Sequence, residues 1–246
     1  MGVGAVRRGP PGRSRLEMGG DHLRVGSWRG DDRVAYLALH IGGVAPTVDA
    51  VRRTCAAAAG RGYVEAVTAA LGPVEARGFL LAGFEVREHL HLLAHDLGAL
   101  PLPVPAALRR GRRRDRPAVL AVDARAFAPF WRLDEPALDE ALGATPSARF
   151  RVAPADADDV AGYAVTGRAG RRGFLQRLAV DPDHQGGGLG RALVIDGLVW
   201  CRRRGVKRVV VNTQEANERA RQLYLDLGFR QLPGGLAVLR AALAGP

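Results

Sequence analysis

Along RRGFLQRLAVDP (171–182) side chains two residues apart share a face of an extended segment. Phe174, Gln176, Leu178 and Val180 fall on one side, and Leu175, Arg177 and Ala179 on the other, which predicts a strand ending at Pro182. Beyond it the period changes. Leu189, Ala192, Leu193, Gly197, Trp200 and Cys201 recur at spacings of three and four until Arg202–Arg204 and Gly205, the pattern of a helix and its terminus. Between strand and helix lies HQGGGLG (184–190), with glycine at four of the five positions 186–190. A strand-to-helix junction presents unpaired backbone N–H groups and the positive end of the helix dipole, and glycine lets an anion's oxygens approach without meeting a Cβ. The pattern predicts a phosphate or pyrophosphate site. Downstream, VKRVVVNTQ (206–214) reads as a strand and NERARQLYLDLGF (217–229) as a helix closed by Gly228, followed by a further strand. Asn217, Ala220 and Tyr224 are spaced three, four and seven apart and so share one helix face.

Two common phosphate motifs are excluded. No G-x-x-x-x-G-K-[ST] is present, and the only lysine, Lys207, lies outside the loop; no acidic residue follows at the distance a dinucleotide fold requires. The spacing that fits is Q-x-x-G-x-G, as Gln185, Gly188 and Gly190. Taken with the strand, helix, strand and N-x-x-A-x-x-x-Y-x-x-x-G-F that surround it, this resembles the GNAT acetyltransferase superfamily, whose acyl-CoA pyrophosphate loop follows the fourth strand as [QR]-x-x-G-x-[GA]. The resemblance implies an α/β (α+β) fold with a mixed central sheet flanked by helices. It also implies that Leu178, Ala179, Val180, Gln185, Gly186, Gly187, Gly188, Leu189, Gly190, Arg191, Asn217 and Ala220 bind acetyl-CoA. In the family the Asn holds the pantetheine arm and the Tyr, here Tyr224, protonates the departing thiolate. Direct transfer of the acetyl group to an amine, with no covalent enzyme intermediate and no metal, is the activity implied, and a backbone N–H near Leu178–Val180 would polarise the thioester carbonyl.

The general base is left open. Some family members that acetylate protein N-termini carry a Glu on the fifth strand where this chain has Asn212, which takes no proton at neutral pH, so a small-molecule amine is the expected acceptor. Glu215, Asp181, His184 and a water relay are the alternatives.

Residues 23–96 repeat this order in shortened form. LRVGSWRGDDRVAYLALHI reads as a hairpin turning at Gly30–Asp32, and a helix from 47, a strand from 64 and a further helix end at Gly83-Phe84 as the later ones end at Gly228-Phe229. The loop is replaced by the shorter GGVAPT. Gly72 stands in the place of Asn217 and Phe79 in that of Tyr224. The organisation resembles tandem GNAT proteins and predicts a disordered tail over 1–20, a degenerate partial GNAT-like repeat over 21–100 and a catalytic domain over 101–246. In the last, LPLPVPA (100–106) is a linker by its prolines, ALRRGRRRD (107–115) the first strand, RPAVLAVDARAF (116–127) and DEPALDEAL (134–142) helices, and ARFRVA and GYAVTG the next two strands. Phe130 and Trp131 in the intervening APFWRL would form the lip of the acceptor site or pack in the core.

Composition changes this picture little. The formal net charge of +11 comes almost entirely from arginine, a bias that goes with the high Ala, Gly and Pro content as much as with a polyanionic partner, and it favours anions such as CoA. Six arginines among the eight positions 109–116 raise nucleic-acid binding as an alternative, but no aromatics are interleaved for base stacking, and solvated arginines on an edge strand are the expectation. A non-catalytic acyl-CoA sensor is the other alternative. Two cysteines, Cys55 and Cys201, without C-x-x-C spacing speak against a disulfide or zinc site and fit a cytoplasmic protein. The N-terminal twenty residues lack a continuous apolar core and a cleavage pattern, Met18 is a candidate start, and no run approaches a membrane span.

Overall fold

A computed structural model describes residues 16–17, 23–39, 44–103, 105–155 and 159–243. The expectations for a tail over 1–20 and a start at Met18 lie outside the described residues, apart from 16–17. The described residues fall into two compact units, one up to residue 88 together with 237–243 and one between residues 89 and 236.

In the first unit β1 (Leu16–Glu17) pairs antiparallel with β2 (Leu23–Trp28), which forms a hairpin with β3 (Asp31–Leu39). The hairpin turns at Arg29 and Gly30, both at positive φ (45° and 80°), one residue earlier than expected; two successive left-handed positions make the two-residue turn whose twist suits a hairpin. Helix α1 (Val48–Ala59) is capped by Thr47, whose hydroxyl accepts from Ala50 N. It leads to β4 (Glu65–Thr68), parallel to β3, and then to α2 (Pro73–Leu81). The far edge of β4 is taken by β12 (Leu236–Ala242), antiparallel. Leu23, Leu37, Val51, Phe79 and Leu239 are buried together in its core.

The second unit holds β5 (Glu85–His95) from His89 onward, β6 (Arg109–Arg110), α3 (Arg116–Ala126), α4 (Glu135–Gly143), β7 (Ser147–Pro154), β8 (Val160–Ala169), β9 (Arg172–Val180), α5 (Leu189–Arg202), β10 (Arg208–Gln214), α6 (Glu218–Asp226) and β11 (Arg230–Gln231). Its strands run β5-β10-β9-β8-β7-β6, with β11 also against β5. Only the β9–β10 pair is parallel, so the sheet is mixed. Every residue of β8 from Val160 to Gly167 is buried, as a central strand covered on both faces requires. Tyr163 and Val165 pack under α3 and α4 with Val119, Val122 and Leu138, while Ala164, between them, joins the opposite core of α5, α6 and β10.

The two compact units divide after residue 88, with β5 paired along β10 and β12 along β4. Two expectations about single elements are corrected. The strand expected over 107–115 shrinks to Arg109–Arg110, because the Asp115 carboxylate accepts from Arg112 N at 2.6 Å and from both terminal nitrogens of Arg109, winding 113–115 into a 3-10 turn. Strict alternation along β9 also fails. The register against β8 slips between Val165 and Thr166, so Gln176 is an extra residue in a bulge, and Leu175 packs in the same core as Leu178 and Val180 while Arg177 and Ala179 face α3.

Arg177 reaches α3 through a buried network. Its Nε and one terminal nitrogen donate to the Asp123 carboxylate at 2.7 and 2.8 Å, and the same terminal nitrogen donates to Trp131 O at 2.7 Å. Asp123 is fully buried; it also accepts from Tyr163 Oη at 2.5 Å and from Leu133 N at 2.7 Å. The Arg177 guanidinium lies 3.5 Å from the ring centroid of Phe127, at the end of α3. One carboxylate thus ties α3, the 128–133 connection and two strands together. At the other side of the unit, His95 on β5 is 3% exposed, stacks edge-on against Phe229, and its Nδ1 accepts from Leu97 N at 2.9 Å; burial holds it below the ordinary histidine pKa and hence neutral.

Two outcomes are expected. A fragment starting at residue 101 loses β5 and with it Leu93 and Leu97 from the core, two losses of about 2–5 kcal/mol each, so it should lack a cooperative thermal transition by circular dichroism, whereas residues 89–236 should keep one. Asp123→Asn strands the Arg177 guanidinium and should cost about 3–5 kcal/mol in urea denaturation, more than Tyr163→Phe, which removes one donor and leaves the ion pair in place.

Candidate functional site

The parallel ladder between β9 and β10 covers only three residue pairs, Arg208 with Arg172, Val209 with Gly173 and Val210 with Phe174. Beyond them the two strands part. The edge of β9 from Leu175 to Val180 then faces a cleft, while its other edge stays paired to β8. Backbone donors and acceptors along such an edge need partners, and a ligand can supply them.

At the end of that edge the chain turns through a 3-10 turn (Pro182–His184) into the glycine run. Gly186 (φ 90°) and Gly188 (φ 81°) occupy the left-handed region that disfavours residues with a Cβ. Gly188 is the N-cap of α5 and brings no capping side chain, so the first-turn N–H groups of a 14-residue helix are left without a side-chain acceptor, at the positive end of its dipole. Gln185 secures the loop: its amide donates to Val180 O at 3.0 Å and its Oε1 accepts from Arg219 of α6 at 2.5 Å. The glutamine of Q-x-x-G-x-G therefore latches loop, strand and helix to each other.

A cavity of about 270 Å³ lies in this cleft. Of the residues expected to bind the acyl donor, Leu178, Ala179, Val180, Gln185, Gly186, Gly188, Leu189, Gly190, Arg191, Asn217 and Ala220 line it, and Gly187 does not. The structure adds Ala126, Phe127, His184, Arg219 and Leu223. No sequence signal marked Phe127 or Arg219. Phe127 sits at a helix end where the apolar period has ceased, and Arg219 has the character of any polar residue in the first turn of a surface helix. Arg191, Arg219 and His184 put basic groups on a rim built from glycine backbone, so the site suits an anion with an apolar extension along Leu178, Val180, Leu189 and Leu223.

Asn217 and Ala220 share the face expected of them, but Tyr224 does not join them at the cavity wall. Asn217 is the N-cap of α6, its Oδ1 accepting from Ala220 N at 3.0 Å, so its amide hydrogens remain for other acceptors. Tyr224 is 4% exposed and packs in the core, its ring centroid 5.5 Å from that of Phe229; Leu223 beside it meets the cavity instead. Around the helix axis Tyr224 falls between Asn217 and Ala220, about 20° and 40° from them, so its place in the core reflects packing one turn farther along α6, against Phe229, rather than rotation. Burial pushes its phenol well above the ordinary tyrosine range, with Arg177 acting against the shift, so the group is protonated at neutral pH.

The other polar candidates divide. Asp181 is 5% exposed and is held by Arg125 at 2.8 Å and by Asp183 N at 3.0 Å, which makes it the brace of the 3-10 turn. His184 is half-exposed on the cavity wall, its Nδ1 3.7 Å from Asp181. Asn212 and Glu215 are exposed, and neither lines the cavity. Phe130 and Trp131 stack edge-on in a 3-10 turn and do not line this cavity, whose aromatic residue is Phe127. Among the described residues no group of three or more His, Cys, Asp or Glu could hold a metal, and no helix is long and apolar enough to cross a membrane.

Residues 117–229 match the model of the acetyltransferase (GNAT) family. Curated relatives include mycothiol acetyltransferases of Actinosynnema mirum, 36% identical over 61% of this chain and 54% of the relative, and of Salinispora arenicola, 39% identical over 52% of this chain and 46% of the relative. The chain thus spans about half the length of these relatives. Among solved structures, a tandem GNAT protein from the clavulanic acid biosynthesis pathway superposes with a TM-score of 0.65 at 19% identity, covering 98% of this chain and 86% of that one. A GCN5-related N-acetyltransferase from Sphaerobacter thermophilus gives 0.59 at 16% identity, covering 92% and 78%. The matched segment spans α3 to the Gly-Phe turn after α6 and so contains the parted strands, the glycine loop and the cavity. Residues 117–229 are thus a segment of the GNAT acetyltransferase family.

Proposed function

We propose that the chain transfers an acetyl group from acetyl-CoA to the amine of a small molecule, directly and without a covalent enzyme intermediate. The observation that carries this reading is the cavity where β9 leaves β10, closed at one end by the uncapped, left-handed Gly188 turn of α5. The residues fit the donor: the N–H groups of Gly186 to Arg191 would take its pyrophosphate, the open edge at Leu178–Val180 and the Asn217 amide its pantetheine arm, and Leu189 and Leu223 the apolar stretch between. Bound acetyl-CoA supplies an acetyl group activated as a thioester. The N–H groups along Leu178–Val180 would stabilise charge developing on its carbonyl oxygen, and Tyr224 holds a proton for the departing sulfur. The names of the curated relatives favour a small-molecule acceptor.

The first unit lacks these features, and we read it as a degenerate copy without a donor site of its own. Its parallel ladder, β3 with β4, covers all four residues of β4, so among the described residues these strands do not part. The position of Asn217 is held by Gly72, the N-cap of α2, and that of Tyr224 by Phe79, which stacks on Phe84 as Tyr224 stacks on Phe229.

Two substitutions test the reading. Gly188→Val forces a β-branched residue to a φ of 81° at about 1–3 kcal/mol and should weaken acetyl-CoA binding at least about tenfold by calorimetry; unchanged affinity would remove the loop from the site. Tyr224→Phe keeps the packed ring and removes only the proton donor, so acetyl-CoA should still bind while single-turnover thiol release with a responsive amine falls by roughly 10²–10⁴-fold; full activity would make Tyr224 a packing residue. Acetyl-CoA binding without thiol release across a broad amine panel would instead identify a non-catalytic sensor, a reading that the burial of Tyr224 keeps open.

A further inference from the structure

The arginine run at 109–116 is not used by the donor site. In the structure it edges another cavity, of about 520 Å³, lined by Arg110, Gly111, Arg112, Arg113 and Arg116 on one side and by Asp139, Leu142, Ala148 and Phe150 on the other. The volume is that of a small-molecule site. Its charge is unbalanced. Asp139 is the only acid in the lining and is already held by Arg116 at 2.5 Å, while Arg116 also reaches Glu135. Arg110, Arg112 and Arg113 have no ion-pair partner among the described residues, which leaves three uncompensated guanidinium groups around one concavity. Left to itself such a cluster repels; an anion relieves the repulsion.

The backbone that carries these arginines is held in place. Asp115 pins Arg112 N and, bidentately, Arg109, and Gly111 N donates to Phe150 O at 3.0 Å. Gly111 also lies directly on the Phe150 ring: a Cβ there would stand 2.4–2.7 Å from three ring carbons. The one acid in the run is thus spent on fixing the turn and Arg109, which directs the remaining arginines outward around an apolar floor of Leu142, Ala148 and Phe150. Guanidinium groups on a fixed backbone are suited to bidentate contact with phosphate oxygens. The donor cavity is elsewhere in the unit: Arg116 starts α3 and Ala126, which lines the donor cavity, ends it, about 15 Å apart along the helix.

We propose that this cavity is a second anion site, which takes a small phosphorylated ligand carrying at least two negative charges with an apolar part against Leu142 and Phe150. A concave site with one aromatic in its floor fits a compact ligand better than a polynucleotide, which calls for an extended groove with successive stacking platforms.

Inorganic pyrophosphate is the probe, titrated calorimetrically into the full chain. Wild type should bind it, and Arg112→Ser/Arg113→Ser should weaken binding by about tenfold or more. Ala148→Glu, which sets a carboxylate in the exposed floor without touching the arginines, should do the same. Arg202→Ser/Arg203→Ser, an equal charge change at exposed positions on α5 and just beyond it, should leave affinity within about twofold; with the donor loop impaired by Gly188→Val, pyrophosphate should still bind, and that binding should still be weakened by Arg112→Ser/Arg113→Ser. The proposal is overturned if wild type binds no pyrophosphate or if the Arg202/Arg203 variant loses as much as the Arg112/Arg113 variant, since the attraction is then the field of the whole basic protein. It is equally overturned if Gly188→Val abolishes binding while the Arg112/Arg113 and Ala148 variants keep it, since the pyrophosphate then sits in the donor loop.

Discussion

The parallel ladder between β9 and β10 stops after three residue pairs, and the candidate site follows from that interruption. A parallel sheet interior ordinarily leaves no backbone group free; here a strand flanked by β8 on one side turns its other edge toward open space. The helices that follow β9 and β10 both begin at the mouth of the gap, with Gly188 and Asn217 as their N-caps, so the cleft collects strand N–H groups and helix-terminal N–H groups in one place. In the first unit β3 and β4 stay paired along the whole of β4, so among the described residues those strands do not part in this way.

Keeping the cleft in shape falls to buried polar groups. Asp123 accepts from Arg177, Tyr163 and Leu133, so the wall that carries Phe127 is fastened to β8, to β9 and to the 128–133 connection at a single carboxylate. The bulge at Gln176 makes this possible. By adding one residue it turns Arg177 and Ala179 toward α3 while Leu178 and Val180 continue the other core, so one short strand serves the anchor on one face and the cavity on the other. Gln185 acts similarly at smaller scale, joining Val180 to Arg219 across the base of the loop.

How much of this was legible in the chain depends on the range of the interaction concerned. The glycine run between a period-two and a period-three-to-four segment predicted a strand-to-helix junction, which is present, and eleven of the twelve residues expected to bind the donor line one cavity. Helix caps at Thr47, Asp134 and Asn217 and turns at Gly30 and Gly228 are likewise local, because cap and turn chemistry involves residues a few positions apart. Tyr224 lies on the expected helix and face, yet its ring packs in the core against Phe229, a partner that periodicity within α6 does not show.

What the sequence determined by itself was therefore the order of elements and the place of the glycine loop between strand and helix, both encoded within windows shorter than about twenty residues. Only the tertiary structure decided that β5 belongs to the sheet of the second unit and β12 to that of the first, that β9 carries a bulge, and that Arg177 and Asp123, 54 residues apart, form a buried pair. The physical reason is common to all three. Strand partners, bulges and buried ion pairs satisfy backbone and charged groups through whichever distant segment the packed core brings alongside, and periodicity within one segment holds no record of its neighbour.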